Sequence, residues 1–140
     1  MSEKHTPLAI ARHMLENDAF SRWMGVEIVE ADAGKSLLKM EIRDNMTNGF
    51  GVTHGGIIFA LADSALAFAA GSHGRVSLAL DNKISYVKPS HTGDLLTAKA
   101  VEEHLGRQIG VYNITITNQA GKTTALMRGT VFRTNTQVEL

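Results

Sequence analysis

From Gly55 to Gly71 the chain reads Gly-Gly-Ile-Ile-Phe-Ala-Leu-Ala-Asp-Ser-Ala-Leu-Ala-Phe-Ala-Ala-Gly, apolar on nearly every face of a helix and interrupted by one charge, Asp63. A helix that is apolar all round has to be buried all round, so the rest of the chain must wrap it. Its many alanines keep it thin and let a sheet approach closely on several sides. The stretch is shorter than the ~20 apolar residues a membrane span needs, and it carries an acid. It therefore reads as the central helix of a water-soluble core.

The flanking sequence supplies the wrapping. Thr6-Pro7 places a capping hydroxyl before a proline at the first helical position, and Leu8, Ala11 and Leu15 recur at helical spacing to about Asn17. A short helical turn is expected over Phe20 to Met24, ended by Gly25. Strand alternation follows in Val26 to Ala31 and in Leu38-Lys39-Met40-Glu41-Ile42-Arg43, where apolar and charged residues strictly alternate. Asp44 to Thr53 has loop character. Beyond the helix, a long strand carries Val76, Leu78, Leu80, Asn82, Ile84 and Tyr86 on one face, with Ser77, Asp81, Lys83 and Ser85 on the other. Lys88 to Gly93 is a turn, Leu95 to Glu103 a strand, and Val111 to Thr117 another, joined through Asn118 to Lys122 to a last strand over Thr123 to Arg133. Thr134 to Leu140 reads as a frayed polar tail. One long helix with five or six mostly antiparallel strands is an α+β arrangement, expected to form one domain over residues 1–140.

Composition narrows the chemistry. Fourteen basic residues balance fourteen acidic ones, which gives no general attraction for nucleic acid or an anionic membrane. The chain contains no cysteine, so disulfides, zinc–thiolate sites and a cysteine nucleophile are excluded. Arg12, His13, Glu16 and Asp18 interrupt any signal-peptide core near the start, and a cytoplasmic location is expected. The six histidines show no metal-ligand spacing, and there is no Gly-x-Ser-x-Gly elbow, phosphate loop or dinucleotide fingerprint. No metal and no cofactor are expected.

The chemistry concentrates where loop meets helix. Gly55 and Gly56 open the buried helix, whose first amides lack internal partners and sit at the positive end of its dipole. Without side chains there, a carbonyl oxygen can come close as negative charge develops on it; alternatively the pair is only a sharp turn into a tightly packed helix. Asp63 lies among Leu61, Ala62, Ala65 and Leu66. Burying a carboxylate there is costly and pushes its pKa up toward the range of a general base. The competing reading makes it a structural acid that caps a neighbouring strand or pairs with Lys83. Asn48 can orient water or substrate, or serve only as a turn-former in Asn-Gly. His54 can act through its ring or fix the loop, and Ser64 can hydrogen-bond locally. Seven residues separate Gly56 from Asp63, about 10 Å along a helix. One small carbonyl cannot reach both in the same chain, so joint action calls for a two-fold dimer with composite sites.

The segment Asn48-Gly49-Phe50-Gly51-Val52-Thr53-His54-Gly55-Gly56, followed by Leu61-Ala62-Asp63, resembles the signature of hotdog-fold acyl-CoA thioesterases of the phenylacetate-degradation (PaaI) type. The resemblance extends over nearly the whole chain, through Glu16-Asn17-Asp18-Ala19, Lys83-Ile84-Ser85-Tyr86-Val87-Lys88-Pro89, Gly93-Asp94, Gly110-Val111-Tyr112 and Ala125-Leu126-Met127-Arg128-Gly129. It implies a hotdog fold, a curved antiparallel sheet wrapped around one central helix. It also implies metal-free hydrolysis of an acyl-CoA, aromatic and phenylacetyl-like, by homodimers that pair into tetramers. By the same resemblance Asp63 is general base or nucleophile, the amide of Gly55 or Gly56 polarises the carbonyl, and Asn48 positions the reactants. Phe50 departs from the pattern, standing where some relatives carry a second histidine. Arg75, Lys88, Arg107 and Lys122 are candidates for the phosphates of CoA. Two other classes compete: a hotdog enoyl-CoA hydratase, which would need an acid and a histidine grouped in one loop, and a non-enzymatic acyl-CoA-binding protein.

Overall fold

The computed structural model describes residues 5–140. Thr6 caps α1 (Pro7–Glu16), its Oγ1 accepting from the Ala9 amide at 3.2 Å. α2 (Ala19–Met24) follows, capped by Asp18 and closed by Gly25 at φ 79°. That left-handed conformation suits a glycine. β1 (Glu27–Asp32) and β2 (Lys35–Glu41) form a hairpin, and a 3-10 turn (Asp44–Met46) leads through a loop into α3 (Gly55–Gly71). β3 (Arg75–Tyr86), β4 (Leu95–Leu105), β5 (Ile109–Thr117) and β6 (Thr123–Gln137) complete the described chain.

All six strands join one antiparallel sheet in the order β1-β2-β4-β5-β6-β3. The concave face carries Leu38 and Met40 of β2, Leu96, Ala98 and Ala100 of β4, Ile114 and Ile116 of β5, and Met127 and Val131 of β6, all buried. α3 lies across it and contributes Leu61, Ala65, Leu66, Phe68 and Ala69 to the same core. This is the α+β hotdog arrangement, and the thin alanine-rich helix is what allows the sheet to curve round it.

Four expectations need correction. The helix is not covered all round within one chain: Gly56, Phe59, Ala60, Asp63 and Ala67, at helical spacing, stay partly open. β2 begins at Lys35, earlier than expected, because buried Ser36 continues the inward face by donating to the Ala65 carbonyl at 2.7 Å. The supposed frayed tail is strand as far as Gln137, which pairs with Arg75, while Thr134 Oγ1 donates to the Val76 carbonyl at 2.7 Å. Finally, the long strand does not keep one apolar face. A bulge at Leu80, between the pairs Ala79↔Val131 and Asp81↔Thr130, shifts the phase. Leu78 and Leu80 turn outward and stay exposed, while Asn82, Ile84 and Tyr86 face the helix. β3 forms one edge of the sheet, beside the uncovered stripe of α3.

Candidate active site

The loop before α3 is built by its own polar groups. The Asn48 carbonyl oxygen Oδ1 accepts from the amides of Phe50 at 2.9 Å and Val52 at 3.3 Å, and the Asn48 amide donates to the Val52 carbonyl at 2.8 Å. Gly51 takes the left-handed conformation, φ 76°, that closes this turn. Asn48 therefore shapes the loop with its oxygen, which leaves Nδ2 as the group it can offer a ligand. Phe50 stands at the tip, 93% exposed. Thr53 is anchored to Ser90 by two bonds of 2.8 Å.

His54 is the N-cap of α3, and its Nδ1 accepts from the Gly56 amide at 2.9 Å. That bond requires the Nδ1 lone pair, so the imidazole proton sits on Nε2. It also separates the two glycines. The amides of Gly56 and Ile57 are engaged by the His54 side chain and carbonyl, so of the two glycine amides that of Gly55 is left to meet an incoming oxygen. Tyr86 of β3 donates its hydroxyl to the Gly55 carbonyl at 3.1 Å and lays its ring against the glycine, where an added Cβ would meet it at 3.4 Å.

Asp63 lies two turns further along α3, on the partly open stripe. Its partner is not Lys83, which points outward on β3, but Asn82, whose Nδ2 donates to Asp63 Oδ1 at 3.0 Å. Burial pushes the carboxyl above the ordinary carboxylate range; the Asn82 bond pulls it back down, and the negative charge of Asp18 raises it further. The second atom of the Asn82 amide, Oδ1, is buried without a protein partner. Gly129, opposite Asn82 on β6, makes room for this side chain, since a Cβ there would come within 2.6 Å of Oδ1 and 2.8 Å of Leu66. Ser64 turns the other way, joining Ser21 of α2 at 2.7 Å, and Ser21 in turn donates to Asp18 at 2.6 Å.

Asn48, His54, Gly55 and Gly56 are thus brought together at one end of α3, and Asp63 stands apart from them in the same chain. Sequence reasoning missed Asn82 and Tyr86. The signal for Asn82 was its place as the one polar residue on an otherwise apolar strand face. Among the described residues no three histidine, aspartate or glutamate side chains converge as a metal-ligand set.

A model of the thioesterase superfamily matches residues 50–125. The acyl-coenzyme A thioesterase PaaI of Escherichia coli (strain K12) is 43% identical over 119 residues, covering 85% of each chain. The structure of the E. coli PaaI protein from the phenylacetic acid degradation operon superposes with a TM-score of 0.94 over 99% of this chain and 100% of that one, at 39% identity. A thioesterase protein of Streptococcus pneumoniae solved with coenzyme A superposes with a TM-score of 0.78, covering 81% of this chain and 91% of that one, at 29% identity. The 1,4-dihydroxy-2-naphthoyl-CoA hydrolase of Listeria monocytogenes is 28% identical and covers 77% of this chain and 89% of that one.

Proposed function

This chain belongs to the thioesterase superfamily and is a thioester hydrolase, and we propose that it hydrolyses an aromatic acyl-CoA of phenylacetyl type to free acid and CoA at a site shared by two chains. The observation that carries the shared site is the split geometry. Gly55 and Asp63 lie eight residues apart, about 12 Å along α3. Their β3 partners, Tyr86 and Asn82, lie four residues apart on one strand face, about 13 Å. β3 is a sheet edge with unpaired backbone groups. Antiparallel pairing of two β3 strands about a two-fold axis at Ile84 sets Tyr86 of one chain opposite Asn82 of the other. The Gly55 amide then faces the partner's Asp63, and the uncovered stripe of each α3 is closed. Outward-facing Leu78, Phe132 and Ile109, neighbours across β3, β6 and β5, offer apolar surface for pairing dimers into a tetramer.

In this reading the acyl group enters the apolar slot between the chains. The thioester oxygen accepts from the Gly55 amide at the positive end of α3, where charge develops in the transition state. Asn48 Nδ2 holds the reactants. The partner's Asp63 takes a proton from water as the water oxygen attacks, or attacks the carbonyl itself to give a mixed anhydride that water then opens. The tetrahedral intermediate expels the CoA thiolate, which takes up the proton. Asn82 keeps the carboxylate ionised and aimed. His54 fixes the loop through Nδ1, which is engaged by Gly56, and Nε2–H is the group its ring can offer the substrate. A cytoplasmic location, where acyl-CoA thioesters are used, belongs to the same reading; no helix among the described residues is long and apolar enough to cross a membrane.

Thiol release from a panel of aromatic and aliphatic acyl-CoAs tests it, with wild type beside Asp63→Ala. The expected result is turnover of aromatic substrates and a loss of at least ~100-fold in the folded variant. A variant as active as wild type would make Asp63 structural.

A further inference from the structure

The catalytic helix has a polar connection on each side of Asp63. β3 meets Asp63 itself through Asn82, and α2 reaches the next residue, Ser64, through a chain of hydroxyls. Ser21 is the link. It is buried and has one hydroxyl proton. That proton goes to Asp18 Oδ2 at 2.6 Å, so the 2.7 Å contact between Ser21 and Ser64 carries the Ser64 proton toward Ser21. Asp18 Oδ1 accepts in addition from the Ser21 amide at 2.9 Å. Both carboxylate oxygens are therefore held, and every donor in the chain points toward Asp18. The acid sits two hydrogen bonds from Ser64, on the flank of α3 that faces away from Asn82.

The proposed mechanism does not use this chain. Capping alone does not call for an acid, since Asn and Ser cap a helix about as well as Asp does. What they cannot supply is a charge. Two carboxylates close together in a partly buried setting disfavour each other's ionised form, and the charge of Asp18 acts on Asp63 in this direction. Arg22, the cation of α2, reaches back to the Glu16 carbonyl at 3.4 Å. α1 carries His13 and Glu16 at its end but sets Met14 over Gly71, eight residues beyond Asp63 and about 12 Å along α3. On β3, Asn82 is uncharged and Lys83 points outward. In the proposed dimer the partner's His54 and the partner's Tyr86 are the titratable groups brought toward Asp63.

Resting on the acyl-CoA reading above, we propose that Asp18 is a positioning residue for the hydrolysis: through Ser21 and Ser64 it docks α2 on the catalytic helix and holds a fixed negative charge behind Asp63 that tunes it as a base. A carboxylate whose ionised form is disfavoured is the stronger base once it has lost its proton.

The test is the pH profile of kcat/KM, on an acyl-CoA that wild type hydrolyses, for Asp18→Asn, Asp18→Ser and Asp18→Glu. Asn and Ser keep the cap and remove the charge; Glu keeps the charge. Without the charge the ionised Asp63 is less disfavoured, so the acid limb moves to lower pH in both neutral variants. Their plateau is unchanged or lower, and Asp18→Glu keeps the wild-type limb. Glu30→Gln, which removes an exposed negative charge from β1 at the opposite edge of the sheet from β3, leaves the limb in place. Should Asp18→Asn fail to fold, as judged by circular dichroism, Asp18→Ser carries the same expectation; if both unfold, Asp18 is structural and the inference falls. It falls too if the limb stays put or moves upward in the neutral variants, or moves equally in Asp18→Glu or Glu30→Gln, while turnover by wild type leaves the thioesterase reading standing. A wild type that hydrolyses no acyl-CoA overturns both.

Discussion

At the scale of single residues, the central tension is between Asp63 and its surroundings. Burial favours the neutral acid, as does the charge of Asp18, and the bond from Asn82 Nδ2 favours the carboxylate. Both routes in the proposed mechanism use the ionised form. Activity is therefore lost as pH falls through a pKa that already lies above the ordinary carboxylate range, so the acid limb begins at a higher pH than an exposed aspartate would give. Asn82→Ala removes the influence that lowers this pKa and leaves the two that raise it. The limb of kcat/KM against pH should then move to higher pH, alongside a reduced rate; an unmoved limb would mean that Asn82 only fills space. Asp63 was legible in the sequence because it is the one charge in an apolar helix. Asn82 was visible as a polar residue on an apolar face, yet its link to Asp63 depended on the bulge at Leu80, which no periodicity reveals: counted without it, Leu78 and Leu80 fall on the same face as Asn82 and the strand looks buried throughout.

At the scale of elements, α3 does two jobs: it fills the sheet, and it presents its first amide. The division of labour between the glycines was not readable from Gly-Gly alone, since it follows from the rotamer by which His54 caps the helix and takes up the Gly56 amide. It suggests a clean substitution. Gly55 is the first residue of the helix, a position that tolerates proline, and His54 already has the extended backbone, φ −62° and ψ 133°, that a residue before proline adopts. A Cβ at Gly55 meets Tyr86 only at ordinary contact distance, 3.4 Å. Gly55→Pro should thus keep the helix and delete the proposed oxyanion donor, lowering kcat by about 10²–10³ with an unchanged far-UV circular dichroism spectrum and melting temperature. A folded variant with the wild-type kcat would move the donor elsewhere. The ends of β2 and β6 were harder to read because polar residues continue them: Ser36 is paid for by a helix carbonyl, and the run Thr134 to Gln137 is held by β3 and not by any apolar pattern of its own.

At the scale of the whole molecule, the proposed shared site makes a single chain only half of a catalyst. One side of its central helix is open, one edge of its sheet is unpaired, and the acid and amide meant for a single carbonyl are separated by about 12 Å of helix. The α+β architecture was legible from alternation around an apolar helix, and the proposal of a second chain starts from residue spacing alone. The proposed axis at Ile84 required the contacts of Asn82 and Tyr86 with α3. The most direct test is to mix chains. Gly55→Pro and Asp63→Ala, each nearly inactive as a pure assembly, are co-expressed with different tags, and mixed dimers are isolated and assayed for thiol release. One site of each mixed dimer then combines an intact Gly55 amide with an intact Asp63, and recovery of about half the wild-type rate is expected. Mixed dimers as inactive as either parent would show that amide and acid must come from the same chain, and would contradict the shared site.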